Sequence, residues 1–186
     1  LDGIICTGTF TTEMLQGISS WDKPVVMIDC NADLPQCDTI TVDYKNAVRE
    51  LLDYLIEKGH KKIGFIGGGT EQWLHRRSED PRYTEFCAYL KEKGLFCEDY
   101  VKLGEHQARY GRKLFTQLYR EGKLPTAIFA ANDSIAAGIY RATYELGLKI
   151  PEDISVIGFN DIPGAKYMVP PLTTVRLYME FMGEYA

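Results

Sequence analysis

Short apolar runs recur along the chain, separated by stretches in which apolar residues return every three or four positions. The runs at 3–7, 25–29, 62–67, 127–131 and 155–158 are rich in β-branched residues and end in polar residues or glycine, which predicts strands. Weaker strand candidates lie at 39–43 and 173–176. Between them, residues 46–58 place Val48, Leu51, Leu52, Leu55 and Ile56 on one helical face and stop at Gly59. Residues 83–93 group Phe86, Tyr89 and Leu90 before Gly94, and residues 111–121 group Leu114, Phe115 and Leu118 before Gly122. A helix over 133–146 opens on Asp133, a residue type suited to an N-cap, and stops at Gly147 with Pro151 beyond. A short helix is predicted over 13–19. Continuous apolar strands alternating with amphipathic helices predict an α/β fold whose parallel sheet is covered on both faces. Both ends read as cuts within elements, a strand at the start and a helix at 180–186, so a piece of a longer protein is expected.

Composition narrows the function classes. The 186 residues are 45% hydrophobic and 25% charged, an ordinary globular balance that excludes disorder, collagen and coiled coil. No apolar run approaches the roughly 18 residues of a membrane helix, so no membrane partner is expected. The 21 Lys and Arg against 26 Asp and Glu leave a net charge of −5, a poor basis for binding nucleic acid directly. Five cysteines stand at 6, 30, 37, 87 and 97 with no CxxC pair, so neither a zinc site nor a disulfide framework is expected. Cys6 and Cys30 read as small buried hydrophobes, and free thiols favour a reducing, cytoplasmic setting.

In an open α/β sheet, ligands sit at the carboxyl ends of the strands. Asp29, Cys30 and Asn31 follow the run at 25–28, and Gly68, Gly69 and a loop reaching Arg82 follow the run at 62–67. Asn132 and Asp133 follow the run at 127–131, and Asn160 and Asp161 follow the run at 155–158. Fixed amides, carboxylates and an Arg fork at one sheet edge suit a polyhydroxyl ligand. Each residue also has a plain structural reading: Asp133 as a helix cap, Asp161 as a turn former, Arg82 as a surface ion pair. Tyr83, Tyr110 and Trp73 read either as rings for stacking on a sugar or as ordinary core and surface aromatics. The glycines at 67–69 fit neither a Walker loop nor a dinucleotide fingerprint and read as a tight strand end. His60, His75 and His106 are scattered, His60 as a helix C-terminal residue. Without a nucleophile–base pair, a metal-ligand set or a cofactor motif, the chain is not expected to be an enzyme, to bind a metal or to carry a cofactor.

Four longer stretches add a resemblance. Residues 59–67 read GHKKIGFIG, 132–138 read NDSIAAG, 151–161 read PEDISVIGFND, and 170–175 read PPLTTV. In this order they resemble the GHxxIxxI, NDxxAxG, PxDISVxGxDD and PPLTTI stretches of the effector domain of LacI/GalR-type bacterial transcriptional regulators. The openings at 2–5 and 24–29 fit as well, so the resemblance covers nearly the whole chain. It implies a type I periplasmic-binding-protein-like fold, two Rossmann-like lobes with parallel sheets, truncated here at both ends. Residues 1–42 would belong to the N-terminal lobe, 43–176 to the C-terminal lobe, and 177–186 would cross back. It also implies a small-molecule effector, a mono- or oligosaccharide, held in the cleft between lobes. The protein would form a homodimer and bind operator DNA through a helix-turn-helix head outside this chain.

By position, the resemblance makes Arg82 and Asn132 ligand-binding residues and Asp29 a further polar cleft residue. Asn160 stands where many members have an Asp for ligand hydroxyls. His106 stands near a position where some stack an aromatic ring, and Met179 where some have a cleft Phe. Two other readings use the same residues: a secreted sugar-binding protein of a transporter, and a Rossmann-like enzyme acting on sugars or nucleotides.

Overall fold

The protein is described by a computed structural model, which covers residues 2–8, 10, 12–30, 34, 37–69 and 80–186. His75, Trp73 and Asn31 lie outside the described residues. The chain divides into two compact units, one of residues up to 43 together with 177–186, the other of residues 44–176.

The first unit contains a three-stranded parallel sheet of β1 (Ile4–Thr7), β2 (Val25–Ile28) and β3 (Cys37–Ile40), in that order. Helix α1 (Thr12–Ser19) belongs to it, and its core is Cys6, Ile18, Val25 and Met27. Strand β3 sits earlier than the run at 39–43 suggested, because Cys37 pairs with Val25 at the start of β2. Cys30 is half-buried at the margin of this core, not buried as expected.

Among the described residues, the second unit carries a five-stranded parallel sheet and four α-helices. In chain order these are α2 (Tyr44–Glu57), β4 (Ile63–Gly68), α3 (Pro81–Glu92), β5 (Val101–Gly104), α4 (Ala108–Arg120), β6 (Ala127–Ala130), α5 (Asp133–Glu145), β7 (Ser155–Asn160) and β8 (Thr173–Arg176). The last helix, α6 (Met179–Tyr185), belongs to the first unit. The sheet order is β5–β4–β6–β7–β8. The chain therefore leaves β4 toward one edge and returns to its other side for β6, which makes a topological switch point between β4 and β6. Strands β4 and β6 are buried along their whole length, as a two-side-covered parallel sheet requires.

Phe65, Phe86, Phe115, Phe129 and Phe159 are fully buried. Phe65 pairs in register with Phe129, their rings 5.3 Å apart and nearly perpendicular, and Phe129 lies 6.3 Å from Phe159. This row crosses β4, β6 and β7 and ends at the carboxyl edge of the sheet. The helix stops read from sequence hold: Gly59, Gly94, Gly122 and Gly147 all take positive φ. The edge strand β5 was not expected; it has four residues, three of them only partly buried, and shows no clear hydrophobic alternation.

Helices α4 and α5 cross where neither has room for a side chain. A Cβ on Gly111 would collide with the Ile135 carbonyl oxygen, and one on Gly138 with the Ala108 carbonyl oxygen. Backbone atoms cannot turn aside, so Gly138→Ala is expected to cost about 3 kcal/mol, read as a lower urea midpoint in circular dichroism. An unchanged midpoint would mean that the two helices separate freely at this crossing.

Candidate functional site

Helix α3 begins at Asp80-Pro81-Arg82. Pro81 suits the first helical position, where its missing N–H costs nothing, and Asp80 is the N-cap. The Asp80 side chain is fully buried and takes four hydrogen bonds. Its Oδ1 accepts from the Arg82 backbone N–H at 3.0 Å and from Arg82 Nε at 2.9 Å. Its Oδ2 accepts from Arg82 Nη2 at 3.1 Å and from His106 Nε2 at 3.1 Å. Burial pushes the carboxyl up, but the His106 hydrogen bond and the charge and hydrogen bonds of Arg82 outweigh it and hold Asp80 well below the usual carboxylate range.

Arg82 is fixed on both sides. Its Nη1 donates to the Ala131 carbonyl oxygen at the end of β6, at 2.9 Å. Its guanidinium lies 5.8 Å from the Phe159 ring centroid and 5.7 Å from that of Tyr44, and those two rings stack at 5.7 Å. Three of its five N–H groups are committed to Asp80 and Ala131, leaving one on each terminal nitrogen. His106 Nε2 also lies 3.1 Å from Arg82 Nη2. A nitrogen whose proton goes to Asp80 cannot accept from Arg82, so Nε2 is the donor, and in the neutral ring Nδ1 holds the lone pair. Nδ1 has no partner among the described residues.

Asn132 caps α5: its Oδ1 accepts from Ile135 N–H at 2.8 Å, and its Nδ2 donates to the His106 carbonyl oxygen at 3.2 Å. One amide N–H remains. The cap is Asn132 and not Asp133, which sequence reading favoured as the cap. Asp133 is buried and serves as a bracket: Oδ2 accepts from Ile162 N–H at 2.8 Å and Oδ1 from the Thr174 hydroxyl at 2.6 Å. Burial pushes its carboxyl up against the opposing hydrogen bonds from Thr174, Ile162 and Phe159. A Cβ on Gly158 would collide with this carboxylate, which explains a glycine inside β7.

Asn160 ends β7 with φ 114°, and its side-chain amide makes no hydrogen bond among the described residues. Asp161 follows at φ 57° and faces Arg176 at 3.7 Å, the turn-forming reading. Gly67 takes φ 138°, and a side chain there would run into Ala131, so glycine at the end of β4 permits close packing. Tyr83 packs on Phe65 at 5.4 Å, and the Tyr110 hydroxyl donates to Glu105 at 2.9 Å.

Arg82, His106 and Asn132 thus form one cluster at the switch point, with Asn160 on the same carboxyl edge. Asp29 and Met179 lie in the other unit. Asp29 ends β2 at φ 55°, and Met179 is exposed at the start of α6. Asp80, the centre of the cluster, was missed. The signal the sequence carries for it is an Asp-Pro pair opening a helix.

Among the described residues, the unspent groups of the cluster are mostly donors: two N–H of Arg82 and one of Asn132, beside the His106 Nδ1 position. Such a set complements hydroxyl and ring oxygens. Among the described residues, no group of three or more His, Cys, Asp or Glu is placed to hold a metal.

Residues 52–186 match the family described as periplasmic binding protein-like domain. The chain belongs to the periplasmic binding protein-like family. Its relatives are LacI/GalR-type regulators. It is 35% identical over 98% of its length to the HTH-type transcriptional repressor MelR of Bacillus subtilis, of which it covers 54%. It is 34% identical over 99% of its length to the HTH-type transcriptional regulator GalR of Streptococcus thermophilus, of which it covers 56%. The chain thus spans about half the length of the curated relatives it matches. Among solved structures, a LacI family transcriptional regulator from Lactobacillus casei with bound glucose superposes with a TM-score of 0.86 at 26% identity, covering 100% of this chain and 70% of that one. The lac repressor dimer bound to operator and the anti-inducer ONPF superposes with a TM-score of 0.87 at 26% identity, covering 100% and 63%. The fold of this family member is the α/β, periplasmic-binding-protein-like fold with parallel sheets that its sequence implied.

Asp80 is held charged, so its folded pKa lies below its unfolded value. The stability it contributes is complete above the ordinary carboxylate range and drains away as pH falls through and below that range. Asp80→Asn is expected to cost about 3 kcal/mol at neutral pH and to flatten the acid-side decline, both read from urea midpoints across pH. An acid limb as steep as that of the unaltered chain would show that Asp80 does not carry it.

Proposed function

We propose that the chain is the effector-sensing part of a LacI/GalR-type repressor, with a sugar bound at the carboxyl edge of the five-stranded sheet. The observation that carries this is the convergence of Arg82, His106 and Asn132 at the switch point with hydrogen-bonding groups left over. The glucose-bound neighbour, and a second structure of the Lactobacillus casei regulator with bound sucrose, support a saccharide. Arg82 would grip two neighbouring hydroxyls, Asn132 would donate to a third oxygen, and His106 Nδ1 would accept from a hydroxyl. Asn160, Asp29 and Met179 would add contacts by their family positions, Asn160 offering both a donor and an acceptor. The reading is of binding without chemistry: among the described residues, the cluster sets no side chain as a nucleophile beside a base.

In the whole protein the sugar would act on DNA. An effector shifts a two-state protein only by its difference in affinity for the two states. A sugar tied to Arg82 and Asn132 would favour one arrangement of the effector domain. In a cytoplasmic homodimer with helix-turn-helix heads, that arrangement would set operator affinity. The repressor and regulator relatives, and the lac repressor dimer on its operator, favour this over a transporter's sugar-binding protein. Among the described residues, no helix is long and apolar enough to cross a membrane.

The test uses glucose and sucrose with the 186-residue chain in calorimetry. Saturable binding is expected, weakened about 100-fold by Arg82→Ala through loss of charged hydrogen bonds. Asn160→Gly separates binding from folding. It removes a side chain that holds nothing in the fold and relieves a backbone conformation disfavoured for any residue with a Cβ. Its stability is therefore expected to hold or rise while affinity falls about tenfold. Affinity unchanged in both variants would remove the carboxyl edge as the sugar site.

A further inference from the structure

The second unit has a hollow at the opposite end of its sheet, of about 340 Å³. That volume is in the range of small-ligand sites. It is lined by the first residues of β7 and β8, the end of α2, the middle of α5 and the prolines before each strand. Ile150, Pro151 and Pro170 make an apolar wall, and Lys58, His60 and Tyr140 bring polar groups to it.

The hydrogen bonding around His60 fixes which nitrogen faces a ligand. The Thr126 hydroxyl donates its one proton to the Lys62 carbonyl oxygen at 3.1 Å. His60 Nδ1 lies 3.0 Å from the same hydroxyl oxygen. In the neutral tautomer that donates from Nδ1 to Thr126, Nε2 is a lone-pair acceptor, and it has no partner among the described residues. Burial lowers the affinity of His60 for a second proton, so the neutral ring is the form present. The Tyr140 hydroxyl likewise has no hydrogen-bond partner among the described residues, and burial pushes its phenol up to about 12, so it remains a donor. Lys58 Nζ lies 5.4 Å from the Tyr54 ring centroid, which keeps the cation beside the hollow.

An acceptor, a donor and a cation around an apolar wall define a complementary molecule. We propose that this hollow binds a small aromatic acid bearing a hydroxyl, its ring on Ile150, Pro151 and Pro170, its hydroxyl donating to His60 Nε2, and its carboxylate meeting the Tyr140 hydroxyl and Lys58. The site lies at the strand starts, apart from the sugar site proposed at the strand ends, and would give the domain a second small-molecule input. It does not depend on a sugar binding at the carboxyl edge.

The probe is 4-hydroxybenzoate, titrated into the 186-residue chain by calorimetry and followed in the histidine ¹⁵N spectrum. Saturable binding is expected, with a shift of the His60 Nε2 resonance. Tyr140→Phe and His60→Asn should each weaken binding about tenfold, the loss of one hydrogen bond to a charged or buried partner. Both keep the local shape, since the Asn amide can still donate to Thr126. Benzoate, which lacks the hydroxyl, should bind the unaltered chain about tenfold more weakly, and the His60→Asn variant should no longer distinguish the two acids. This comparison on the unaltered chain stands even if a variant fails to fold. Arg82→Ala should leave the affinity unchanged. Absence of saturable binding, equal affinity for both acids, or loss only in Arg82→Ala would overturn the proposal, the last by placing the probe at the carboxyl edge.

Discussion

The buried carboxylate of Asp80 organises the carboxyl edge. It starts a helix, fixes an arginine and engages a histidine that follows another strand, all through four hydrogen bonds. Removing a charge from water is costly unless its lone pairs are satisfied. Here each oxygen takes two donors, so the ionised form is the stable one. The same bonds orient Arg82 toward Ala131, and so toward the turn where Asn132 caps the next helix. Three segments far apart in sequence thus meet at one point for a local electrostatic reason.

The core sets where that point lies. Phe65, Phe129 and Phe159 form a stiff aromatic row through the sheet, and its last ring faces the Arg82 guanidinium with Tyr44 stacked beside it. A flat cation over aromatic faces is held without spending its N–H groups. The packing that stabilises the sheet therefore also leaves Arg82 with donors to offer. Asp133 does the same for the neighbouring turns. By gathering Thr174 and Ile162 it ties strand β8 and the turn after β7 to the start of α5, beside the backbone that carries Asn160.

Much of this was legible in the chain. The buried strands β4, β6 and β7 announced themselves as continuous apolar runs, and the helix ends by their glycines. Strand β5 did not, because an edge strand is half solvated and its four residues mix Lys with Leu and Val. The start of β3 was misplaced because its register follows β2, not its own hydrophobicity. Arg82, Asn132 and Asn160 were legible as polar residues after strands. The role of Asp80 was not, since a carboxylate that holds an arginine reads in sequence as one more acidic residue. The exchange of roles between Asn132 and Asp133 has the same origin: both types cap helices, and only the contacts of Thr174 and Ile162 tell them apart.

The conformation of Asn160 also bears on how this protein can diversify. With φ at 114°, the position tolerates glycine freely and asparagine or aspartate at some cost, and it strongly disfavours branched or bulky side chains. Its backbone thus narrows the available chemistry to an amide, a carboxylate or nothing. Among descendants of this sequence, variation here would move in a few discrete steps, each a change of charge or of hydrogen-bonding pattern at an otherwise unaltered turn.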